Sequence, residues 1–123
     1  MKEFIVRWFR SLPPAEKDMP AIPYNGKIYT PRQIYEMAIS NTLPDDLQSK
    51  IERREFTTAM EVYRLGVERV LTYLKSIPPD FVISVGGKPY TVEQLIEAVE
   101  KGTPVGRAFV EAEIRKWELL YRG

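Results

Sequence analysis

The chain has no cysteine and no histidine. Without cysteine it has no disulfide framework, no thiolate nucleophile and no zinc or iron–sulfur site built on sulfur. Without histidine it has no imidazole base and no catalytic triad that relies on one. The chemistry left is that of carboxylates, lysine, tyrosine, hydroxyls and a hard cation on oxygen ligands. Charge of one sign is also missing: 18 Lys and Arg stand against 17 Asp and Glu, a net charge of +1. Attraction to nucleic acid or an anionic membrane would therefore need a local patch. No run reaches the roughly 18 apolar residues that cross a bilayer, and the charged stretch Met1–Arg10 does not read as a secretory signal. These absences lead to the expectation of a soluble, cytoplasmic protein without cofactor or bound metal. Asparagine and glutamine are scarce and proline is frequent at ten residues, a thermophile-like composition.

What is present is enough for a core. Apolar residues make up 44% of 123 positions, with seven Tyr, five Phe and two Trp, which argues against disorder and for a single compact domain spanning residues 1–123. Within it the sequence repeats. Ile22-Pro23-Tyr24-Asn25-Gly26-Lys27-Ile28-Tyr29-Thr30-Pro31-Arg32-Gln33 aligns with Ile83-Ser84-Val85-Gly86-Gly87-Lys88-Pro89-Tyr90-Thr91-Val92-Glu93-Gln94 at an offset of 61, and Glu36/Glu97, Thr42/Thr103, Glu52/Glu113 and Arg54/Arg115 keep it. Upstream, Ser11-Leu12-Pro13-Pro14 matches Ser76-Ile77-Pro78-Pro79 at an offset of 65, so the first copy carries four extra residues before Ile22. The reading is a tandem duplication, about 1–60 and 61–123, with its boundary near Thr58–Val62.

Each copy reads as helix, β-hairpin, helix, helix. The first helix stops at Pro-Pro. Asn25-Gly26 and Gly86-Gly87 supply the positive φ that a two-residue hairpin turn demands. Thr30–Gln33 and Thr91–Gln94 fit capping boxes, with Pro31 at a first helical position. The second copy predicts helices over about Val92–Lys101, ending at Gly102, and Pro104–Tyr121. In the first copy a helix starts near Asp45 and meets no breaker other than Gly66 before Pro78. The expected fold is therefore α+β and predominantly helical. Its two halves are related by an approximate internal twofold and joined through one long shared helix, about Asp45–Ser76, and the two hairpins are candidates to pair into one sheet.

Wheel arithmetic at about 100° per residue places Phe56, Ala59, Met60, Tyr63, Val67, Val70 and Leu74 on one stripe, with Glu52 inside it. On the last helix Val105, Phe109, Ala112, Trp117 and Leu120 share a face with Glu113 in its middle. A carboxylate on an apolar face needs a partner, and Glu52 and Glu113 are repeat-equivalent. Their expected partners are the Tyr29 or Tyr90 hydroxyl, Lys27 or Lys88, or hairpin amides; the sharper alternative is a carboxylate pair sharing a proton or holding a cation. Lys27 and Lys88 at the hairpin tips, with Arg32, Arg53, Arg54 and Arg64, are candidate anion or nucleic-acid contacts, although Glu55, Glu61 and Glu68 lie among them and no P-loop is formed. The helix with Phe4, Ile5, Trp8 and Phe9 is assigned to the core rather than a membrane surface.

The expected function is a small, non-enzymatic protein-interaction or assembly module that binds a protein partner or a second copy of itself as a homodimer. The alternatives are a nucleic-acid binder using the basic hairpin tips and, behind it, a divalent-cation enzyme on Glu52 and Glu113.

Overall fold

The computed structural model describes residues 2–56 and 59–122. The chain is α+β and mostly helical. Helix α1 (Lys2–Ser11) leads through a short 3-10 turn (Pro14–Glu16) into strands β1 (Ile22–Tyr24) and β2 (Lys27–Tyr29). Helices α2 (Pro31–Ile39), α3 (Asp45–Arg53) and α4 (Ala59–Lys75) follow, then β3 (Val82–Val85), β4 (Lys88–Thr91), α5 (Val92–Lys101) and α6 (Pro104–Tyr121).

Local chemistry explains most of these bounds. Thr30 Oγ1 accepts from the Gln33 amide at 3.1 Å while Gln33 Oε1 accepts from the Thr30 amide at 2.8 Å. Thr91 and Gln94 repeat the exchange at 3.1 and 2.9 Å, so both capping boxes are closed. The hairpin turns place Asn25 and Gly26 at φ 48° and 79°, and Gly86 and Gly87 at 59° and 82°. After α2 and α5 the chain turns through left-handed Asn41 (φ 58°) and Gly102 (φ 67°). There the Thr42 and Thr103 amides donate back to Met37 O at 2.8 Å and Ala98 O at 3.1 Å. Each of these features recurs at the offset of 61.

Two expectations are corrected. Among the described residues the hairpins form two separate antiparallel sheets, β1–β2 and β3–β4, not one. The long shared helix is also broken. Arg54 adopts φ 55° and ends α3, with its amide donating to Ile51 O and Lys50 O. Phe56 then turns inward, 5% exposed, and meets the Trp117 ring edge-on at 5.8 Å, while Arg122 Nη2 donates to Phe56 O at 2.6 Å. Burying Phe56 against Trp117 offsets a non-glycine residue in the left-handed region. The stretch given to the repeat boundary, Thr58–Val62, begins outside the described residues.

The buried face of α4 also differs from the expected stripe. Met60 and Tyr63 are exposed, and the buried face is Val62, Leu65, Gly66, Arg69, Val70 and Leu74. On α6 the face shifts likewise: Ala112 is exposed, while Gly106, Val110, Trp117 and Tyr121 are buried.

The core falls into two clusters. One gathers Ile5, Leu12, Ala21, Ile22, Ile34, Leu47, Ile51, Phe56, Leu65, Trp117 and Tyr121. The other gathers Val70, Leu74, Val92, Leu95, Val99 and Val110, and Ile114 packs against both. Ile5 of α1 lies in the first cluster and its counterpart at the offset of 65, Val70, in the second, so α1 is a core helix.

Close helix contact in the second cluster depends on glycine. A Cβ on Gly106 would run into the Ala98 carbonyl group of α5, whereas one on Gly66 would meet side chains only, Ile114 Cγ1 at 2.7 Å and Val110 Cγ1 at 2.9 Å. A helix backbone cannot give way, whereas the β-branched Val110 and Ile114 can shift by a few tenths of an ångström at some cost, so Gly106→Ala is expected to cost about 2–3 kcal/mol and Gly66→Ala about 1–2 kcal/mol. Urea unfolding of the two variants checks the order, and equal losses would contradict it.

Candidate functional site

The sequence singles out Glu113 but not the residue it meets. Arg69 sits mid-way along the buried face of α4 with 0% exposure, and a guanidinium there must be paired on all sides. Its Nη1 and Nη2 donate to Glu16 Oε1 and Oε2 at 2.9 and 2.7 Å, a two-pronged bond. Nη1 also donates to Pro20 O at 2.9 Å, and Nε to Glu113 Oε1 at 3.1 Å. Tyr121 Oη donates to Glu16 Oε1 at 3.0 Å. The 3-10 turn, α4 and α6, through mid-helix Glu113 and C-terminal Tyr121, thus converge on one ion-paired node, and Val70, the residue next to Arg69, belongs to the second core cluster while Tyr121 belongs to the first.

The electrostatics follow from this crowding. Burial alone would raise the Glu16 carboxyl, but the hydrogen bonds and charge of Arg69, with help from Tyr121 and Lys116, hold it below the ordinary carboxylate value. Burial disfavours the Arg69 charge, and Glu16 and Glu113 more than restore it, so the guanidinium is held protonated. The Tyr121 hydroxyl is pushed well above its usual range by burial and by the Glu16 charge, and stays a donor.

Beside this node lies a cleft of about 360 Å³, lined by Ala15, Glu16, Met19, Val70, Tyr73, Phe109, Glu113 and Lys116. Apolar side chains from α4 and α6 form its walls and the two carboxylates its charged floor. A second hollow, about 260 Å³, lies at the first hairpin between Tyr24, Lys50, Glu55 and Glu61.

The expected site residues separate. Glu113 is partly buried, with Arg69 as its partner instead of a tyrosine, lysine or hairpin amide. Glu52 is exposed on α3, where Gln48 Nε2 donates to its Oε1 at 3.1 Å. Its place on an apolar face is corrected: that assignment assumed the unbroken rod. The carboxylate that does share a centre with Glu113 is Glu16, in the 3-10 turn. No cluster of three or more potential metal ligands occurs among the described residues.

The basic candidates are dispersed too. Arg32 is held by Asp18 at 2.7 Å and lies over the Phe9 ring; Arg53 pairs with Glu55 at 3.2 Å. Arg54 is the left-handed cap of α3. Arg64 donates to Gly26 O at 2.7 Å beside the first hairpin tip. Lys27 and Lys88 are both exposed, on different sheets.

Among the described residues no helix is long and apolar enough to cross a membrane. No family model, curated protein or solved structure matches the chain.

Proposed function

We propose that the chain is a non-enzymatic protein-interaction module made by tandem duplication of one unit, and that the outer face of its second hairpin is where a partner docks. The duplication is supported by the paired capping boxes, the paired hairpin turns and the left-handed exits at Asn41 and Gly102, all at one offset; two pseudo-equivalent halves about an approximate twofold are the arrangement this reading implies.

The observation that carries the docking reading is a difference between those halves. In the first, Ala21 and Ile22 are 0% exposed. They lie in the first core cluster, where Trp117 Nε1 of α6 donates to Ala21 O at 2.9 Å. In the second, Val82 stands where Ala21 stands in the first, and it is 57% exposed beside Phe81 at 56%. Single exposed apolar side chains are ordinary, but adjacent Phe and Val entering a two-stranded ribbon with open edges form a surface that invites pairing. The occupant that fits has a precedent inside the molecule itself: an amphipathic helix of a partner protein that sets an aromatic side chain against Val82, as α6 sets Trp117 against Ala21.

The Phe81 backbone is engaged through its amide to Pro78 O and its carbonyl to the Val92 amide, so its side chain can be changed without unmaking those bonds. Wild type and a Phe81→Lys/Val82→Lys variant, matched in melting temperature, are used as bait in native-host lysate treated with nuclease. A stoichiometric protein partner is expected with wild type and not with the variant. The same partners on both baits would overturn the reading, and partners lost on nuclease treatment would transfer it to nucleic acid and to Lys27 and Lys88. Light scattering of both proteins shows whether the partner is a second copy of the chain.

A further inference from the structure

At the node beside the cleft of about 360 Å³ the two carboxylates are not equally satisfied. Two carboxylates, Glu16 and Glu113, face one guanidinium, Arg69. Glu16 is saturated: both oxygens accept from Arg69, and Oε1 accepts from Tyr121 as well. Glu113 is not. Its Oε1 accepts from Arg69 Nε, no hydrogen bond falls on Oε2 among the described residues, and its side chain keeps 19% of its surface at the cleft. The walls above it include two aromatic rings, Tyr73 and Phe109, with Met19 and Val70. A half-satisfied carboxylate at the foot of an aromatic-walled slot is the arrangement that recognises an organic ammonium, through an ion pair at one end and ring faces around the rest. The slot, about 360 Å³, suits a ligand of one ring or a short alkyl chain.

Lys116 also lines the cleft and is the competing feature. It is exposed, makes no ion pair among the described residues, and its charge bears on Glu16. An ammonium ligand must therefore work against Lys116, and an anionic ligand would need it.

We propose that the cleft between the 3-10 turn, α4 and α6 binds a small organic cation with an apolar body, an aryl- or alkylammonium, with Glu113 as its counter-ion. This site is independent of the second hairpin and of the partner proposed there.

The test is a titration of the full chain, followed by amide chemical shifts, with three probes of similar shape: phenethylammonium, phenethyl alcohol and 3-phenylpropionate. Saturable shifts centred on Val70, Phe109 and Glu113 are expected with phenethylammonium, and binding about tenfold weaker with the alcohol. Glu113→Gln retains an oxygen for Arg69 Nε and is expected to weaken phenethylammonium about tenfold, while Lys116→Met strengthens it about threefold. Tyr73→Ala, at the exposed rim, serves as the binding variant if Glu113→Gln melts early, and it too should weaken the ammonium. Equal affinity for all three probes, tighter binding of phenylpropionate that Lys116→Met abolishes, or no saturation by phenethylammonium at millimolar concentration would each overturn the proposal.

Discussion

Replacing Arg69 with Met is expected to destabilise the chain by about 3–5 kcal/mol, the range seen when one member of a buried ion pair is removed. The loss comes less from the bonds that vanish than from what stays behind. Glu16 keeps only the Tyr121 hydroxyl as a hydrogen-bond donor, Pro20 O loses its donor, and two carboxylates face a centre with no buried cation. The penalty is one of stranded charge. Arg69→Met combined with Glu16→Leu and Glu113→Leu should then recover most of the stability despite carrying three substitutions. Urea denaturation at neutral pH distinguishes the two variants, and a triple variant no more stable than the single one would refute the account.

The same node sets an acid dependence whose sign reverses in the variant. In the wild type the Glu16 carboxyl is held below its unfolded value, so the folded chain releases that proton more readily than the unfolded one. Its contribution is therefore complete above the ordinary carboxylate range and is lost as pH falls through the lowered value. With Arg69 gone, burial dominates and the carboxyl is raised, so stability should increase as pH falls from neutral towards about 5. Opposite slopes in unfolding free energy against pH are the expected result.

Trp117→Ala is expected to cost about 4–5 kcal/mol, at the upper end for a large buried side chain. The indole is 0% exposed and touches the rings of Phe56 at 5.8 Å and Tyr121 at 5.9 Å. The guanidinium of Arg122 lies 5.2 Å above it. Its loss leaves a cavity where the first hairpin, the Phe56 turn and α6 meet. Trp117→Phe keeps most of the volume and removes the donor to Ala21 O, so its cost should be about 1–2 kcal/mol. Because Phe56 is what holds the backbone at Arg54 in its left-handed turn, amide exchange at residues 54–56 should accelerate in Trp117→Ala much more than at α5. Uniform acceleration through both clusters would contradict that link.

Short-range chemistry made much of this fold legible. The capping boxes, the hairpin turns, the Gly102 exit and the spans of α5 and α6 all follow from residues within a few positions of one another. The break at Arg54 does not. Arginine is a good helix former, and what ends α3 is the affinity of Phe56 for a ring 61 positions further on. That one event separated α3 from α4 and put Glu52 in solvent. The wheel of α4 alone already sets Arg69 between Leu65 and Val70, so a stripe that includes the buried Val62 and Leu65 has Arg69 inside it. Glu113 was legible as an exception on α6, but its companion Glu16 lies in the part of the first copy where the repeat register fails, so the repeat could not point to it.

The bonds that tie α6 to the start of the chain carry a kinetic consequence. Trp117 to Ala21 and Tyr121 to Glu16 span 96 and 105 positions, whereas the cluster of Val70, Leu74, Val92, Leu95, Val99 and Val110 closes over much shorter loops. Loop closure favours the nearer contacts first. During synthesis the first hairpin must wait for Trp117, its partner at Ala21, until α6 has been made, so this hairpin, made before the second, completes its packing after it.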